Sequence, residues 1–180
     1  MQTAQSKTSK ELFAKYLNNI FIETGTYHGD SVQTALDSGF KTICSIELGE
    51  SLYRQCIKRF IKVNNVHLFN GDSSELLPIV IKDINEPVTF WLDSHYSGVD
   101  TVQGKTNTPL LQELEIISGH YIKNHTIMID DLRGWYKHTH GFDTLDLMKK
   151  IMEINSDYIF KLENGFIEND ILVAYVNKVR

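Results

Sequence analysis

The segment Phe21-Ile22-Glu23-Thr24-Gly25-Thr26-Tyr27-His28-Gly29-Asp30-Ser31 constrains the fold more than any other part of the chain. An apolar run ends in a carboxylate, passes two glycines four residues apart, and enters a polar pair suited to start a helix. A strand feeding a helix through such a turn lets backbone N–H groups approach a ligand with no Cβ in the way. Glu23 adds an acceptor at the same turn. A carboxylate there repels pyrophosphate and suits a nucleoside cofactor with a cationic end, of which S-adenosylmethionine is one.

The rest of the chain repeats this strand-then-helix rhythm. Strands are expected at Ile20–Thr24, Thr42–Glu47, Val66–Asn70, 88–93 and 126–130, with two more at 158–162 and 171–176. One short helix, within residues 9–19, precedes the first strand. Residues 51–60 set Leu52, Tyr53, Cys56, Ile57 and Phe60 on one stripe at helical spacing. Thr108 caps and Pro109 opens a helix whose Leu110, Leu111, Leu114 and Ile117 face inward. Asp143 starts another, which buries Leu147, Met148 and Ile151. Alternation at this spacing means a mostly parallel sheet covered by helices on both faces. The last two strands are too close for a crossover, and Asn164-Gly165 supplies a turn, so they form an antiparallel hairpin. The expected fold is α/β: a Rossmann-like, seven-stranded, mostly parallel sheet with a C-terminal antiparallel hairpin. It forms a single domain over residues 1–180, with 1–19 as an N-terminal helical extension.

Composition narrows the function class. With 180 residues, 42% hydrophobic and 23% charged, the chain can bury one sizeable core. A net charge of -5 argues against a surface built to bind nucleic-acid phosphates. Lys58-Arg59 and Lys149-Lys150 read as solvated helix faces. Cys44 and Cys56 fall in apolar patterns and suit a reducing compartment better than a disulfide framework. The first residues carry no apolar signal segment and no run reaches membrane-spanning length, so a soluble cytoplasmic protein with no membrane partner is expected.

Ligands of open α/β sheets sit beyond the carboxyl ends of the strands. Those ends here carry Glu23, Glu47, Asp72, Asp93, Asp130 and Asp131, which repel one another unless a cation or hydroxyl-rich ligand satisfies them. Glu47, about 22 residues past Gly25, is placed to accept both ribose hydroxyls of a nucleoside; alternatively it caps the next helix. Asp72 faces an adenine amine or, with Ser73, caps the helix holding Leu76 and Leu77. Asp93, Asp130 and Asp131 end adjacent strands and offer oxygen ligands to one Mg²⁺-like ion, unless Asp93 only orients substrate and Asp131 is a surface acid. His95, two residues past Asp93, is a candidate general base or further ligand. His138 and His140 share a loop with Trp135 and Tyr136 that could form a substrate lid. The polar stretch 98–107 is a long loop of the kind that often carries function.

At these residues the chain resembles the class I S-adenosylmethionine-dependent methyltransferases, and within them the catechol O-methyltransferase-type branch. Glu23 to Ser31 resembles that branch's first motif, Ser45-Ile46-Glu47 its ribose-binding motif, and Asn70-Gly71-Asp72-Ser73 with Leu76-Leu77-Pro78 its adenine-side segment. Trp91-Leu92-Asp93 and Ile129-Asp130-Asp131 match the two places from which the branch draws magnesium ligands. The resemblance runs from about Ile20 to Arg133. It implies a cofactor site drawn from Glu23, Gly25, Thr26, Tyr27, His28, Gly29, Ser31, Glu47, Leu48, Gly71, Asp72, Ser73 and Asp93. It also implies Mg²⁺ on Asp93, Asp130 and Asp131, with Asp93 and His95 in catalytic roles. Tyr96 stands where catechol-type enzymes carry a basic lysine, and only one short helix precedes the first strand.

The expected activity is metal-assisted O-methylation of a small hydroxylated acceptor, such as a sugar or glycan unit, with a homodimer as one open assembly. Two other classes stay in view. A nicotinamide-dependent oxidoreductase would share the ribose acid, but its Gly-x-Gly-x-x-Gly is absent. A non-catalytic module could bind S-adenosylmethionine as a sensor.

Overall fold

A computed structural model describes residues 9–94, 108–134 and 137–177. Helix α1 (Lys10–Lys15) starts where the Ser9 hydroxyl accepts from the Leu12 amide. There follow β1 (Ile20–Thr24), α2 (Asp30–Ser38), β2 (Thr42–Glu47), α3 (Glu50–Phe60), β3 (Val66–Asn70), α4 (Ser73–Ile81) and β4 (Val88–Leu92). Then come α5 (Leu110–Gly119), β5 (Thr126–Ile129), a 3₁₀ turn at Leu132–Gly134, α6 (Lys137–His140), α7 (Thr144–Ile154), β6 (Ile159–Glu163) and β7 (Ile171–Tyr175).

The seven strands form one sheet in the order β3-β2-β1-β4-β5-β7-β6. Pairings among β1 to β5 are parallel, whereas β7 runs antiparallel between β5 and β6. The expected fold and hairpin are both present. Connections lead one way from β1 through β2 to β3 and the other way from β4, so the strand order switches between β1 and β4. A crevice opens at such a point, outside the carboxyl ends of the strands.

Alternation along the strands builds two cores. Ile22, Phe90, Ile127 and Leu172 face α4, α5 and α7, where Leu77, Ile81, Leu114, Ile117, Leu147 and Ile151 cover them. Phe21, Ile43, Trp91, Met128 and Val173 face the other way, onto Leu12, Phe13, Val32, Ala35, Cys56 and Phe60 of α1, α2 and α3. Central strands buried on both faces need continuous apolar runs, which is why Val88–Leu92 is buried at every position.

The helix stripes are narrower than the sequence suggests. Leu52, Cys56 and Phe60 are buried but Ile57 is exposed, and Leu111 points outward while Leu110, Leu114 and Ile117 are buried. A helix on a flat sheet buries about a third of its circumference, so flanking apolar positions remain at the rim. The Asp143 cap is a full capping box with Asp146. Residues 137–140, expected as loop, form the single turn α6. Both cysteines are free and buried. Among the described residues no helix is long and apolar enough to cross a membrane.

Candidate active site

The turn after β1 is tied from below and from the side. Gly25 has φ +88 and donates its amide to the Ile46 carbonyl. A Cβ built there would lie 2.7 Å from the Asp93 carbonyl oxygen and 3.2 Å from Ser94 Cα. Glycine at this position therefore lets the β1 turn press directly on the backbone leaving β4. Tyr27 follows at φ 50 and Gly29 at φ 81, so the chain turns sharply enough to start α2 at Asp30.

Glu23 lies under this turn and is wholly buried. Register pairs it with Ser45 on the same face of the sheet. The Ser45 hydroxyl donates to Glu23 Oε2 at 2.5 Å, and the Ser31 hydroxyl donates to Oε1. Because Ser45 has one proton to give, the Thr26 hydroxyl, 2.5 Å away, donates to it in turn. Among the described residues no cation meets this carboxyl, and burial pushes its pKa up to about 8 against the hydroxyls that lower it. Glu23, Ser31, Ser45 and Thr26 thus form one chain of hydrogen bonds that braces the turn, while Tyr27 and His28 stand exposed with their rings tilted and 4.0 Å apart.

Glu47 ends β2 beside them. Its Oε2 accepts from the Tyr27 amide at 2.8 Å and its Oε1 from the Gly49 amide at 2.7 Å. Burial raises its pKa, and these backbone donors oppose the rise. Leu48 follows, its carbonyl held by the Asn70 amide side chain at 3.2 Å. Gly71 leads from β3 to Asp72, which caps α4: Asp72 Oδ1 accepts from the Ser74 amide at 2.9 Å and hydroxyl at 2.6 Å. The capping geometry weighed for Asp72 is thus present. Ser73 is buried.

Its partner was not foreseen. The Ser73 hydroxyl donates to Glu113 Oε1 at 2.5 Å, and the Ser94 hydroxyl donates to the same oxygen at 2.6 Å. Glu113 is completely buried on α5, and burial pushes its pKa up to about 7. The signal was in the sequence, because Leu110, Glu113, Leu114 and Ile117 make one stripe at helical spacing, and a carboxylate on such a stripe needs a partner.

Asp93, Asp130 and Asp131 converge. Each offers a carboxylate oxygen within 4.8 Å of the others. Asp130 Oδ1 accepts from the Asp131 amide at 2.8 Å, and Asp131 sits at φ 59. Arg133 Nη2 lies 2.6 Å from Asp131 Oδ1, its Nη1 donates to Asp170, and its guanidinium covers the Phe166 ring at 5.1 Å. The Arg133 bridge between Asp131 and Asp170 does not show in the sequence, since Asp170 lies in the hairpin, 37 residues from Arg133. All donors are carboxylate oxygens, the set that a hard divalent ion takes. His95, Tyr96, the 98–107 stretch, Trp135 and Tyr136 lie outside the described residues.

A separate cavity of about 390 Å³ opens at the opposite edge of the sheet, between Asn18, Glu86, Thr126 and Asn177. No candidate residue lines it, and the Asn18 amide already bonds Thr89 and Thr126.

The sequence matches no protein-family model and no curated protein. Solved structures do match in fold. The O-methyltransferase TomG of Streptomyces achromogenes, involved in tomaymycin synthesis and solved with S-adenosylmethionine, superposes at TM-score 0.64 with 13% identity, covering 94% of this chain and 78% of that one. The O-methyltransferase of Bacillus cereus, solved with the demethylated cofactor, gives 0.64 at 12% identity over 93% and 78%. An rRNA methylase from Streptococcus thermophilus gives 0.55 at 13% identity over 93% and 94%. With its strand order, its antiparallel hairpin and these likenesses, the chain has the class I S-adenosylmethionine-dependent methyltransferase fold.

Proposed function

We propose that the protein is an S-adenosylmethionine-dependent methyltransferase that methylates an oxygen of a small hydroxylated acceptor with the help of a divalent ion. The observation that carries this reading is the convergence of Asp93, Asp130 and Asp131 beside the Gly25 turn, at the switch point of the sheet. The cofactor would lie over Gly25 to Gly29, with its ribose toward Glu47 and its adenine toward Gly71 and Asp72. The acidic crevice favours its sulfonium and would repel a pyrophosphate. Bound there, it supplies a methyl group on a positively charged sulfur, ready for displacement by an oxygen nucleophile.

The three aspartates would hold the ion, which supplies Lewis acidity that lowers the acceptor hydroxyl's pKa. Their carboxylate oxygens, within 4.8 Å of one another, are the kind of ligand that would hold a hard divalent ion. Asp131, paired with Arg133, would serve the ion with the same carboxylate. The chain's own contribution is positioning: Asp93 and Ser94 are pressed against the cofactor turn, so an acceptor held at Asp93 stands close to the methyl group. His95 takes the acceptor's proton in this scheme. The acidic net charge favours a small acceptor over a nucleic acid.

Radiolabelled S-adenosylmethionine, offered with a panel of catechols, sugars and glycans, tests the reading. Methyl transfer should stop in EDTA and return with Mg²⁺ or Mn²⁺. Undiminished turnover in EDTA would remove the ion, and absence of cofactor binding would remove the activity.

A further inference from the structure

Three segments wall the crevice: the β1 turn at Thr24–Gly25, the exit of β4 at Asp93–Ser94, and the start of α4 at Asp72–Ser73. They come from distant parts of the chain, and one side chain touches all of them. Glu113 Oε1 receives hydroxyls from Ser73 and Ser94. The buried Thr24 hydroxyl meets the same carboxyl, and its hydrogen bonding, with that of the two serines, opposes the rise in pKa that burial causes. Register puts Thr24 on the same face of the sheet as Ile22, the face that α5 covers. A buried carboxylate on an apolar stripe is costly, and a leucine there would pack as well as its neighbours do. The polar group stabilises something other than the core.

We propose that Glu113 is a positioning residue that holds Ser94, and through it Asp93, against the Gly25 turn and the start of α4, so that the cofactor meets a preformed crevice. The contact it enforces is tight, since the Gly25 position has room for no Cβ against Asp93. This rests on the crevice being the S-adenosylmethionine site. Glu113 itself touches no ligand; it acts through Ser73, Ser94 and Thr24.

The test compares Glu113→Leu, Glu113→Gln and the pair Ser73→Ala/Ser94→Ala, with S-adenosylhomocysteine as the titrant in calorimetry. Glu113→Leu should bind it about tenfold more weakly or worse, whereas Glu113→Gln, whose amide oxygen still accepts both hydroxyls, should bind within about threefold of wild type. Glu113→Gln should keep the wild-type unfolding temperature, while the serine pair, which strips the buried carboxyl of two donors, loses stability as well as affinity. Measured where both variants are fully folded, the affinity loss should persist in the serine pair alone, a split that a purely structural role does not produce. Should Glu113→Leu fail to fold, the serine pair decides. Wild-type affinity in the serine pair or in folded Glu113→Leu overturns the proposal. If the wild-type protein binds no S-adenosylhomocysteine, the methyltransferase reading falls instead. Hydrogen exchange at the Gly25 and Asp93 amides, which bond Ile46 and Thr24, then judges the clamp. Faster exchange confined to them in the serine pair supports it, and unchanged exchange overturns it.

Discussion

Glu23 and Gly25 show how one residue can serve the fold while shaping the site. Gly25 reads in the sequence as a gap for a ligand, and the structure adds a reason inside the protein, because the Asp93 backbone occupies the space a Cβ would need. Glu23 reads as an acceptor at the crevice, yet its oxygens are taken by Ser31 and Ser45. A carboxyl whose pKa rises on folding, here from 4.5 to about 8, holds its proton more tightly in the native state. Its stabilising contribution is complete below pH 4.5 and is lost as pH rises through about 8, on the order of 3–5 kcal/mol in all. Glu23→Gln, a neutral isostere, should therefore lose less stability than wild type between pH 6 and 9 in urea unfolding. Parallel curves for the two proteins would show that Glu23 does not titrate in this range.

Elements carry a second buried polar chain, at the other end of the sheet. The Val88 amide donates to His125 Nδ1 at 3.1 Å, His125 Nε2 meets His120 Nδ1 at 3.0 Å, and His120 Nε2 meets the Ile81 carbonyl at 3.1 Å. The directions close only if both rings are neutral, with each Nε2 carrying the proton. This joins the ends of α4 and α5 to the starts of β4 and β5. Burial, helped by His120, pulls the His125 pKa down to about 4 from 6.5. The resulting stability is complete above pH 6.5 and is lost as pH falls toward 4, about 3 kcal/mol at most. His125→Gln should be less stable at pH 7 but show a flatter fall between pH 6.5 and 4; an equally steep fall would place the acid sensitivity elsewhere. Strands β1, β2 and β3 were legible to the residue, because turn signals bound each apolar run. The histidine pair was not, since nothing local says that two rings five residues apart turn toward each other. Glu113 escaped for the opposite reason: helical spacing places it inward, on the stripe of Leu110, Leu114 and Ile117, but glutamate is a residue type seldom fully buried.

At the scale of the molecule, the expected architecture was legible because strand–helix alternation leaves few ways to cover both faces of a sheet. The acidic rim was legible too, as strand ends gather at one edge, whereas Arg133 and Asp170 meet only through the hairpin's placement. Strand β7 closes both layers at once: Leu172 and Ala174 enter one core, Ile171 and Val173 the other, all fully buried. Leu172→Ala should cost about 2–5 kcal/mol, read as a drop in the urea midpoint at constant slope. A loss below 1 kcal/mol would mean that the hairpin is only loosely attached to the sheet. Among the described residues, strand β6 pairs with β7 and with no other strand. On the ribosome, residues 159–163 therefore wait without a neighbour until residues 171–175 have emerged. The exposed Leu162 and Phe166 are meanwhile open to capture by other nascent chains.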